Sequence, residues 1–126
     1  MKNSFLAALD LETGKTLWKT PRNDLPAWSS PSVSPEGDAT QVVVNGFRHI
    51  GGYDFPTGKE LWRFRGGGDI PMPTPVTGHG LAFITNAHGR LAPIYAIRLD
   101  SRGDVSLPPG KSSSKQVPWS VNRGGA

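Results

Sequence analysis

Short runs of hydrophobic residues alternate along the chain with clusters of glycine, proline and polar turn residues. Residues 41–44 and 81–84 are nearly continuous apolar runs, which is typical of strands that are covered on both faces. Because turn signals bound each run, the pattern predicts an all-β protein. We expect strands near residues 4–10, 15–19, 28–33, 40–46, 48–55, 59–65, 72–77, 80–86, 92–100 and 117–122.

The chain contains an internal repeat with a period of 44 residues. Residues 8–18 and 52–62 share aspartate, threonine, glycine, lysine, leucine and tryptophan at this offset, and Pro31 and Pro75 have the same spacing. A third copy, residues 96–119, is degenerate because it has one residue fewer between its aspartate and its glycine and because its tryptophan follows an insertion. A unit of this length, made of short β-runs and turns, matches the antiparallel four-stranded blade of a β-propeller.

The repeat divides the chain into parts of one incomplete propeller. We expect a single partial β-propeller domain, residues 1–126, with a half blade at 1–22, a blade at 23–67 and a blade at 68–126. An insertion at 101–116 in the last blade is expected to be a solvated, mobile hairpin tip. Two and a half blades cannot close a propeller, so we expect apolar faces to be covered by further blades of a longer protein or by self-association.

Composition removes several classes of function. The 16 glycines and 12 prolines in 126 residues argue against an all-α architecture, since both interrupt helix interiors. Without cysteine the chain can form no disulfide and no cysteine-ligated zinc site. The net charge of +4 comes from basic residues spread along the chain, so we expect no nucleic-acid partner. The apolar stretch at residues 5–9 is too short to span a membrane.

Residues 8–18 read Ala, any residue, Asp, three of any residue, Gly, Lys, two of any residue, Trp. This resembles the tryptophan-docking motif of the quinoprotein-type (PQQ-like) β-propeller repeat family. Residues 52–62 match with glycine in place of alanine, and the third copy matches at three positions, with its aspartate at Asp100 rather than at position 98. The candidate docking residues are Ala8, Asp10, Gly14, Lys15, Trp18, Gly52, Asp54, Gly58, Lys59, Trp62, Ala96, Gly103 and Trp119.

The motif residues have physical roles of their own. Asp10 and Asp54 are placed to accept backbone N–H bonds two residues on and to hold a hairpin turn, for which Gly14 and Gly58 supply a positive φ. One carboxylate per turn is far short of the six to eight oxygens that calcium takes, so we assign no metal site. By resemblance to the family, each tryptophan stacks against the neighbouring blade.

Other chemistry-bearing residues have simpler explanations. His49, His79 and His88 lack the short spacing of zinc ligands and are expected to be surface or rim histidines. Residues 66–69, Gly-Gly-Gly-Asp, could form an anion-binding nest, but a flexible connection between blades is the stronger reading. Lys111, beside a serine run, is expected to lie in the solvated insertion.

The resemblance implies two alternative functions. Dehydrogenases of the family hold the quinone PQQ on the propeller axis, commonly over a vicinal disulfide, with a calcium ion and an aspartate base. We assign no catalytic or cofactor residue here and expect a non-catalytic scaffold that binds a protein partner or further blades. The alternative is a fragment of a PQQ-dependent alcohol or sugar dehydrogenase whose PQQ and calcium site lies outside this chain. The resemblance implies a periplasmic or extracellular location.

Overall fold

Every regular element is a β-strand in the described residues, 4–36, 38–66, 70–86 and 91–124 of a computed structural model. The strands are β1 (Phe5–Leu9), β2 (Thr16–Pro21), β3 (Ser32–Ser34), β4 (Gln41–Val44), β5 (His49–Asp54), β6 (Glu60–Arg65), β7 (Val76–Gly78), β8 (Leu81–Thr85), β9 (Leu91–Arg98), β10 (Gly103–Asp104) and β11 (Trp119–Gly124). This part of the chain has no helix that could cross a membrane.

The strands form three sheets in chain order. The first sheet is the antiparallel pair β1 and β2. The second sheet contains β3 to β6, each antiparallel to the next, with β10 added parallel to the outer strand β6. The third sheet has the order β11-β9-β8-β7, again antiparallel throughout. The predicted fold class, an all-β protein of antiparallel four-stranded β-propeller blades, is confirmed.

Equivalent registers place the first and last residues of the docking motif side by side in each sheet. Directly paired residues project from the same face of a sheet, so each tryptophan lies on the same face as the small residue beside it. The three pairs of Cα partners are Ala8 with Trp18, Gly52 with Trp62 and Ala96 with Trp119. The repeat read from the sequence is therefore a repeat of strand pairing.

The main hydrophobic core lies between the second and third sheets. Its residues are buried and come from both sheets and the connection after β9; they include Val43, Ile50, Trp62, Ala82, Ile84, Ile97 and Leu99. Burial of one large aliphatic or aromatic side chain contributes about 1.5–3 kcal/mol. A smaller cluster joins Leu6 of the first sheet to Val42, Val44 and Tyr53 of the second sheet. Packing between sheets therefore holds the three sheets together.

The inner strands begin later than the sequence predicted. The strand expected at 28–33 is β3 at Ser32–Ser34, and the strand expected at 72–77 is β7 at Val76–Gly78. Proline has no N–H to donate to a ladder, and both segments contain prolines ahead of the strand. These segments instead bond to each other across the sheets, since Ser29 Oγ donates to the carbonyl of Pro73 at 2.9 Å.

The insertion at 101–116 differs from the expected solvated tip. Gly103 and Asp104 pair in parallel with β6, and the backbone N–H of Val105 donates to the carbonyl of Arg63 at 2.8 Å. Val105 itself is buried in the main core, whereas Lys111 is exposed. The first half of the insertion thus crosses from the third sheet to the edge of the second, so the prediction was wrong for these residues.

Candidate functional site

The first two copies of the docking motif each contain a hairpin turn, and the two turns have the same geometry. Oδ1 of Asp10 accepts the N–H of Thr13 at 2.8 Å, the hydroxyl of Thr13 at 3.0 Å and the N–H of Glu12 at 3.0 Å, and these hydrogen bonds hold the pKa of the Asp10 carboxyl below its usual value. Gly14 follows with φ +72°. The backbone carbonyl of Lys15 accepts the N–H of Asp10 at 2.8 Å, so this lysine closes the turn through its main chain.

The second turn repeats this geometry one period later. Oδ2 of Asp54 accepts the hydroxyl of Thr57 at 2.6 Å, and Gly58 has φ +75°. The N–H of Asp54 donates to the carbonyl of Lys59 at 2.8 Å. The third copy has no such turn, because Arg98 replaces the aspartate and pairs with the displaced Asp100 at 2.6 Å. Gly103, with φ +76°, lies instead in the edge strand β10.

Trp18 joins the first sheet to the turn of the second. Its indole Nε1 donates to the carbonyl of Phe55 at 2.9 Å. The ring lies so close to Gly58 that a Cβ on this glycine would be 2.3 Å from Cε3 of the indole. Thr20 adds a hydrogen bond from its hydroxyl to the carbonyl of Gly58 at 2.5 Å. Gly58 therefore has two roles. It adopts the positive φ of the turn, and its lack of a side chain leaves space for the indole ring of Trp18.

Trp62 is seated differently in the main core. Its indole Nε1 donates to Oε1 of Gln41 at 2.7 Å, and Nε2 of Gln41 donates to the carbonyl of Leu99 at 2.8 Å. Leu99 lies 44 positions after Phe55, so Trp62 reaches the equivalent carbonyl through an inserted amide. A Cβ on Gly52 would lie 2.1 Å from Nε1, which explains glycine where the motif has alanine.

Trp119 presents its ring to solvent. It is 42% exposed and lies against Phe83 of its own sheet, with ring centroids 6.1 Å apart. Its register partner Ala96 is fully buried beneath the same face. Of the three motif tryptophans, the structure therefore brings Trp18 and Trp62 into contact between sheets and leaves Trp119 at an outer face.

A cleft of about 490 Å³ lies beside the junction of the first and second sheets and was not predicted. Four arginines line it together with His49, Glu60 and Asp104, and we call it the arginine cleft; they are Arg22, Arg48, Arg63 and Arg65. Residues from β2, β5, β6 and β10 converge there from distant parts of the sequence. No short motif announces such a convergence, so sequence reasoning had no signal for it.

The floor of the arginine cleft is a buried polar network. Arg22 is 8% exposed, and its guanidinium donates to Asp24 at 3.1 Å, to the carbonyl of His49 at 2.7 Å and to the hydroxyl of Tyr53 at 2.5 Å. Burial, opposed by the nearby Arg22, raises the pKa of Tyr53 to about 12. The Tyr53 hydroxyl donates onward to Glu60 at 3.2 Å. These groups satisfy one another and act as a structural tie.

The prediction of a surface position for His49 was wrong. The residue is 5% exposed, and its Nε2 lies 3.4 Å from Oε2 of Glu60. Burial, reinforced by Arg22 and Arg63, lowers the pKa of His49, so the imidazole is neutral at pH 7. His79 lies exposed in the β7–β8 turn, whereas His88 and residues 67–69 of the expected glycine-rich connection lie outside the described residues.

The residues that the structure describes do not fit a calcium or quinone site of the family type. Among the described ranges, no three histidine, aspartate or glutamate side chains come together as metal ligands. The chain has no cysteine for a vicinal disulfide. In the arginine cleft, Glu60 faces Arg63 at 3.4 Å, and cations outnumber carboxylates there. The cleft is suited to an anionic group.

The chain is similar in sequence to two known dehydrogenases. No profile of a known protein family matches the chain. Over 65 residues, 46% of the chain, it is 32% identical to methanol dehydrogenase [cytochrome c] subunit 1 of Methylorubrum extorquens. Over 94 residues, 71% of the chain, it is 31% identical to the quinoprotein alcohol dehydrogenase PedE of Pseudomonas putida. The matched regions span 10% and 14% of these relatives. The chain is therefore similar to dehydrogenases of the quinoprotein family.

Proposed function

We propose that this chain is a blade-building segment of a quinoprotein-type alcohol dehydrogenase, in which it supplies β-propeller blades and the contacts that dock one blade on the next. The observation that carries the proposal is the seat of Trp18, which lies over Gly58 and bonds to the carbonyl of Phe55 across two sheets. Similarity to two dehydrogenases supports the class of the parent enzyme.

On this proposal, the redox chemistry belongs to parts of the enzyme outside this chain. PQQ and calcium, where bound, supply electron transfer and charge stabilisation to such an enzyme. The contribution of the chain is positional. Trp62 and Gln41, both fully buried, fix the second sheet against the third and give a rigid wall to whatever the propeller encloses.

The test uses the polypeptide as its host makes it. A purification tag at the chromosomal gene yields the protein at its natural length, and dye reduction is measured with pyrroloquinoline quinone, Ca²⁺ and a primary alcohol, added together and singly omitted. We expect activity that needs all three additions. Trp62→Ala should abolish it by unseating a buried ring, and Trp28→Ala, at a 70% exposed tryptophan, should not. A preparation that takes up no quinone and reduces no dye would contradict the proposal.

A second candidate function, a non-catalytic scaffold for a protein partner, is favoured by the arginine cleft. Arg48 and Arg65 line the cleft and are exposed, and the buried polar network of Arg22 lies beneath them. Such a cleft would take an acidic peptide segment. Calorimetric titration with oligo-glutamate should show binding that Arg48→Ala and Arg65→Ala weaken, while Arg98→Ala, outside the cleft, leaves it unchanged. Absence of binding to the unaltered chain would exclude this function.

We also propose a periplasmic or extracellular location, on the basis of the family that the docking motif resembles. The tagged protein should appear in the fluid released by osmotic shock or in the medium, separated from a cytoplasmic marker enzyme. Recovery together with the cytoplasmic marker would contradict this location, and the outcome does not depend on whether the protein is an enzyme.

A further inference from the structure

The insertion at 101–116 forms one wall of a second cleft, which lies between the second and third sheets. The cleft has a volume of about 410 Å³, and we call it the insertion cleft; its lining includes Phe64, Arg65, Tyr95, Leu107, Lys111 and Ser112. The strands that line it are β6, β9 and β11, so it lies on the outer side of the two sheets, away from the inner strands β3 and β7. Clefts of this size bind small molecules.

Hydrogen bonds and packing fix the insertion to both sheets. The N–H of Arg65 in β6 donates to Oγ of Ser106 at 2.6 Å, and Oγ of Ser120 in β11 donates to the carbonyl of Ser112 at 2.7 Å. Leu107, between these two contacts, packs against the main core. The chain therefore holds the walls of the insertion cleft in place without a ligand, and a pre-formed site binds without the cost of ordering its walls.

The inner wall of the insertion cleft is apolar and aromatic. Phe64 is buried, and its ring centroid lies 4.5 Å from that of Tyr95 in the third sheet. Leu107 adds an aliphatic surface from the insertion. A cavity of about 150 Å³ holds a benzene ring, so the insertion cleft has room for one aromatic ring with a short chain attached. Aromatic rings attract one another beyond the area that they bury, so this wall favours an aromatic ligand.

The exposed lining of the insertion cleft is basic. Arg65 and Lys111 are exposed, and within the described ranges neither side chain forms an ion pair or a hydrogen bond. Arg65 lines both clefts, but no carboxylate lies among the described lining residues of this one. The arginine cleft differs, because its Arg63 faces Glu60 at 3.4 Å. Two cations without a carboxylate in contact favour a ligand with a negative charge.

The hydroxyl of Tyr95 is a donor without a partner in the part of the chain that the structure describes. Its oxygen lies 3.3 Å from the position that a Cβ on Gly66 would take, and Gly66 directly follows Arg65. Burial raises the pKa of Tyr95, so the hydroxyl keeps its proton at neutral pH. Tyrosine hydroxyls in buried positions usually have a hydrogen-bond partner. An acceptor oxygen bound in the insertion cleft would supply this partner.

We propose that the insertion cleft binds a small aromatic carboxylate. The aromatic ring packs on Phe64 and Leu107 at the inner wall. The carboxylate lies between Arg65 and Lys111 and accepts the hydroxyl of Tyr95. This ligand site goes beyond the proposed function, since neither the docking of blades nor quinone chemistry requires a molecule at this position.

Isothermal titration calorimetry of the full chain at pH 7 tests the proposal with three compounds. The first, 3-phenylpropionate, has both the ring and the charge. The second, 3-phenylpropionamide, has the same ring without the charge, and propionate has the charge without the ring. We expect 3-phenylpropionate to bind and the other two to bind at least about tenfold more weakly, because each lacks one of the two groups that the cleft recognises.

Three substitutions test the position of the carboxylate. Arg65→Gln and Lys111→Gln each remove one cation, and Tyr95→Phe removes only the hydroxyl. Each should raise the dissociation constant for 3-phenylpropionate about five- to tenfold. The controls are Arg48→Gln, at an exposed arginine of the arginine cleft, and Lys115→Gln, at an exposed lysine of the insertion that does not line the insertion cleft. Both controls should leave the affinity unchanged.

Circular dichroism checks that each variant is folded. If Tyr95→Phe does not fold, Lys111→Gln still decides the matter, because it changes an exposed side chain and has Lys115→Gln as its matched control.

Three results would overturn the proposal. The unaltered chain could fail to bind 3-phenylpropionate, the amide could bind as tightly as the carboxylate, or a folded variant at Arg65, Lys111 or Tyr95 could bind with unchanged affinity. Loss of binding in Arg48→Gln would place the carboxylate in the arginine cleft, which also contradicts the proposal. These titrations involve no quinone and no alcohol, so their failure is distinct from failure of the dye-reduction test.

Discussion

Trp62 and Gln41 form a hydrogen bond of 2.7 Å, indole Nε1 to amide Oε1, inside the core, and both side chains are 0% exposed. The same amide donates to the carbonyl of Leu99, so a single side chain satisfies a donor and an acceptor in two sheets. A buried polar group left without a partner costs about 1–3 kcal/mol. One glutamine therefore makes the buried polar connection between Trp62 of the second sheet and the segment that follows β9.

Replacement of this glutamine should be costly. Gln41→Leu leaves the indole N–H and the Leu99 carbonyl unpaired, and we expect it to lower the free energy of unfolding by about 2–4 kcal/mol, measured by urea denaturation. Gln116→Leu, at a partly exposed glutamine, is the control and should change stability by less than about 0.5 kcal/mol. Equal effects of the two substitutions would refute a special role for Gln41.

Two glycines allow the effect of backbone strain to be measured separately from the effect of a clash with the Trp18 ring. Gly58→Ala and Gly14→Ala place a Cβ at nearly the same φ, +75° and +72°, but only the Cβ at residue 58 would meet Trp18. At a concentration where the chain is monomeric, Gly58→Ala should cost about 1–3 kcal/mol more than Gly14→Ala in urea denaturation. The same loss in both variants would mean that the ring does not depend on this seat.

The buried polar network of the arginine cleft likewise leaves no space for a side chain at Gly46. A Cβ there would lie 2.4 Å from Nη2 of Arg22, Oδ2 of Asp24 and the carbonyl of His49. Gly46→Ala should therefore separate a buried ion pair and cost about 2 kcal/mol or more. Gly78→Ala adds a Cβ that meets nothing within 4 Å and serves as the control. Similar thermal midpoints for the two variants would contradict this reading of the network.

Stability should depend on pH through His49. Its folded-state pKa lies below the ordinary value of 6.5, so the unfolded chain binds the extra proton more readily. The stabilisation that the neutral His49 imidazole gives the folded state is fully present above about pH 6.5. It is lost as the pH falls toward the folded-state pKa, and the free energy of unfolding then decreases by at most about 1.4 kcal/mol per pH unit.

Urea denaturation at a series of pH values tests this dependence. His49→Gln should flatten the stability profile just below pH 6.5, whereas His79→Gln, in an exposed turn, should leave it unchanged. Carboxyls with lowered pKa, such as Asp10, act near and below 3.8 and therefore in a separate range. An unchanged slope in His49→Gln would show that this imidazole does not carry the effect.

The sequence predicted the strands and their repeat because both follow from local patterns. Alternation and turn residues define a hairpin within a few positions, and the registers of Trp18 and Trp62 keep the spacing of the motif. The expectation that these two rings lie between sheets agrees with their contacts. Proline displaced β3 because a missing N–H shortens a ladder without changing hydrophobicity.

The rest depended on contacts between distant residues. Gln41 reads as one polar residue in an apolar run, and nothing nearby indicates that it meets Trp62 and Leu99. Histidine spacing excludes zinc but is silent on burial, so His49 was misplaced. The insertion was expected to be solvated because of its serine and lysine content, whereas Val105 anchors its first half in the core.

The short strand β10 makes the three sheets unequal in their resistance to opening. β10 belongs to the connection between β9 and β11 of the third sheet, but it pairs with β6 of the second sheet. Separation of these two sheets therefore also requires that this ladder break. In the described residues, the first hairpin has only two strands and no such additional pairing. In this chain, amide hydrogens of β1 and β2 should consequently exchange with solvent before those of β4 and β5.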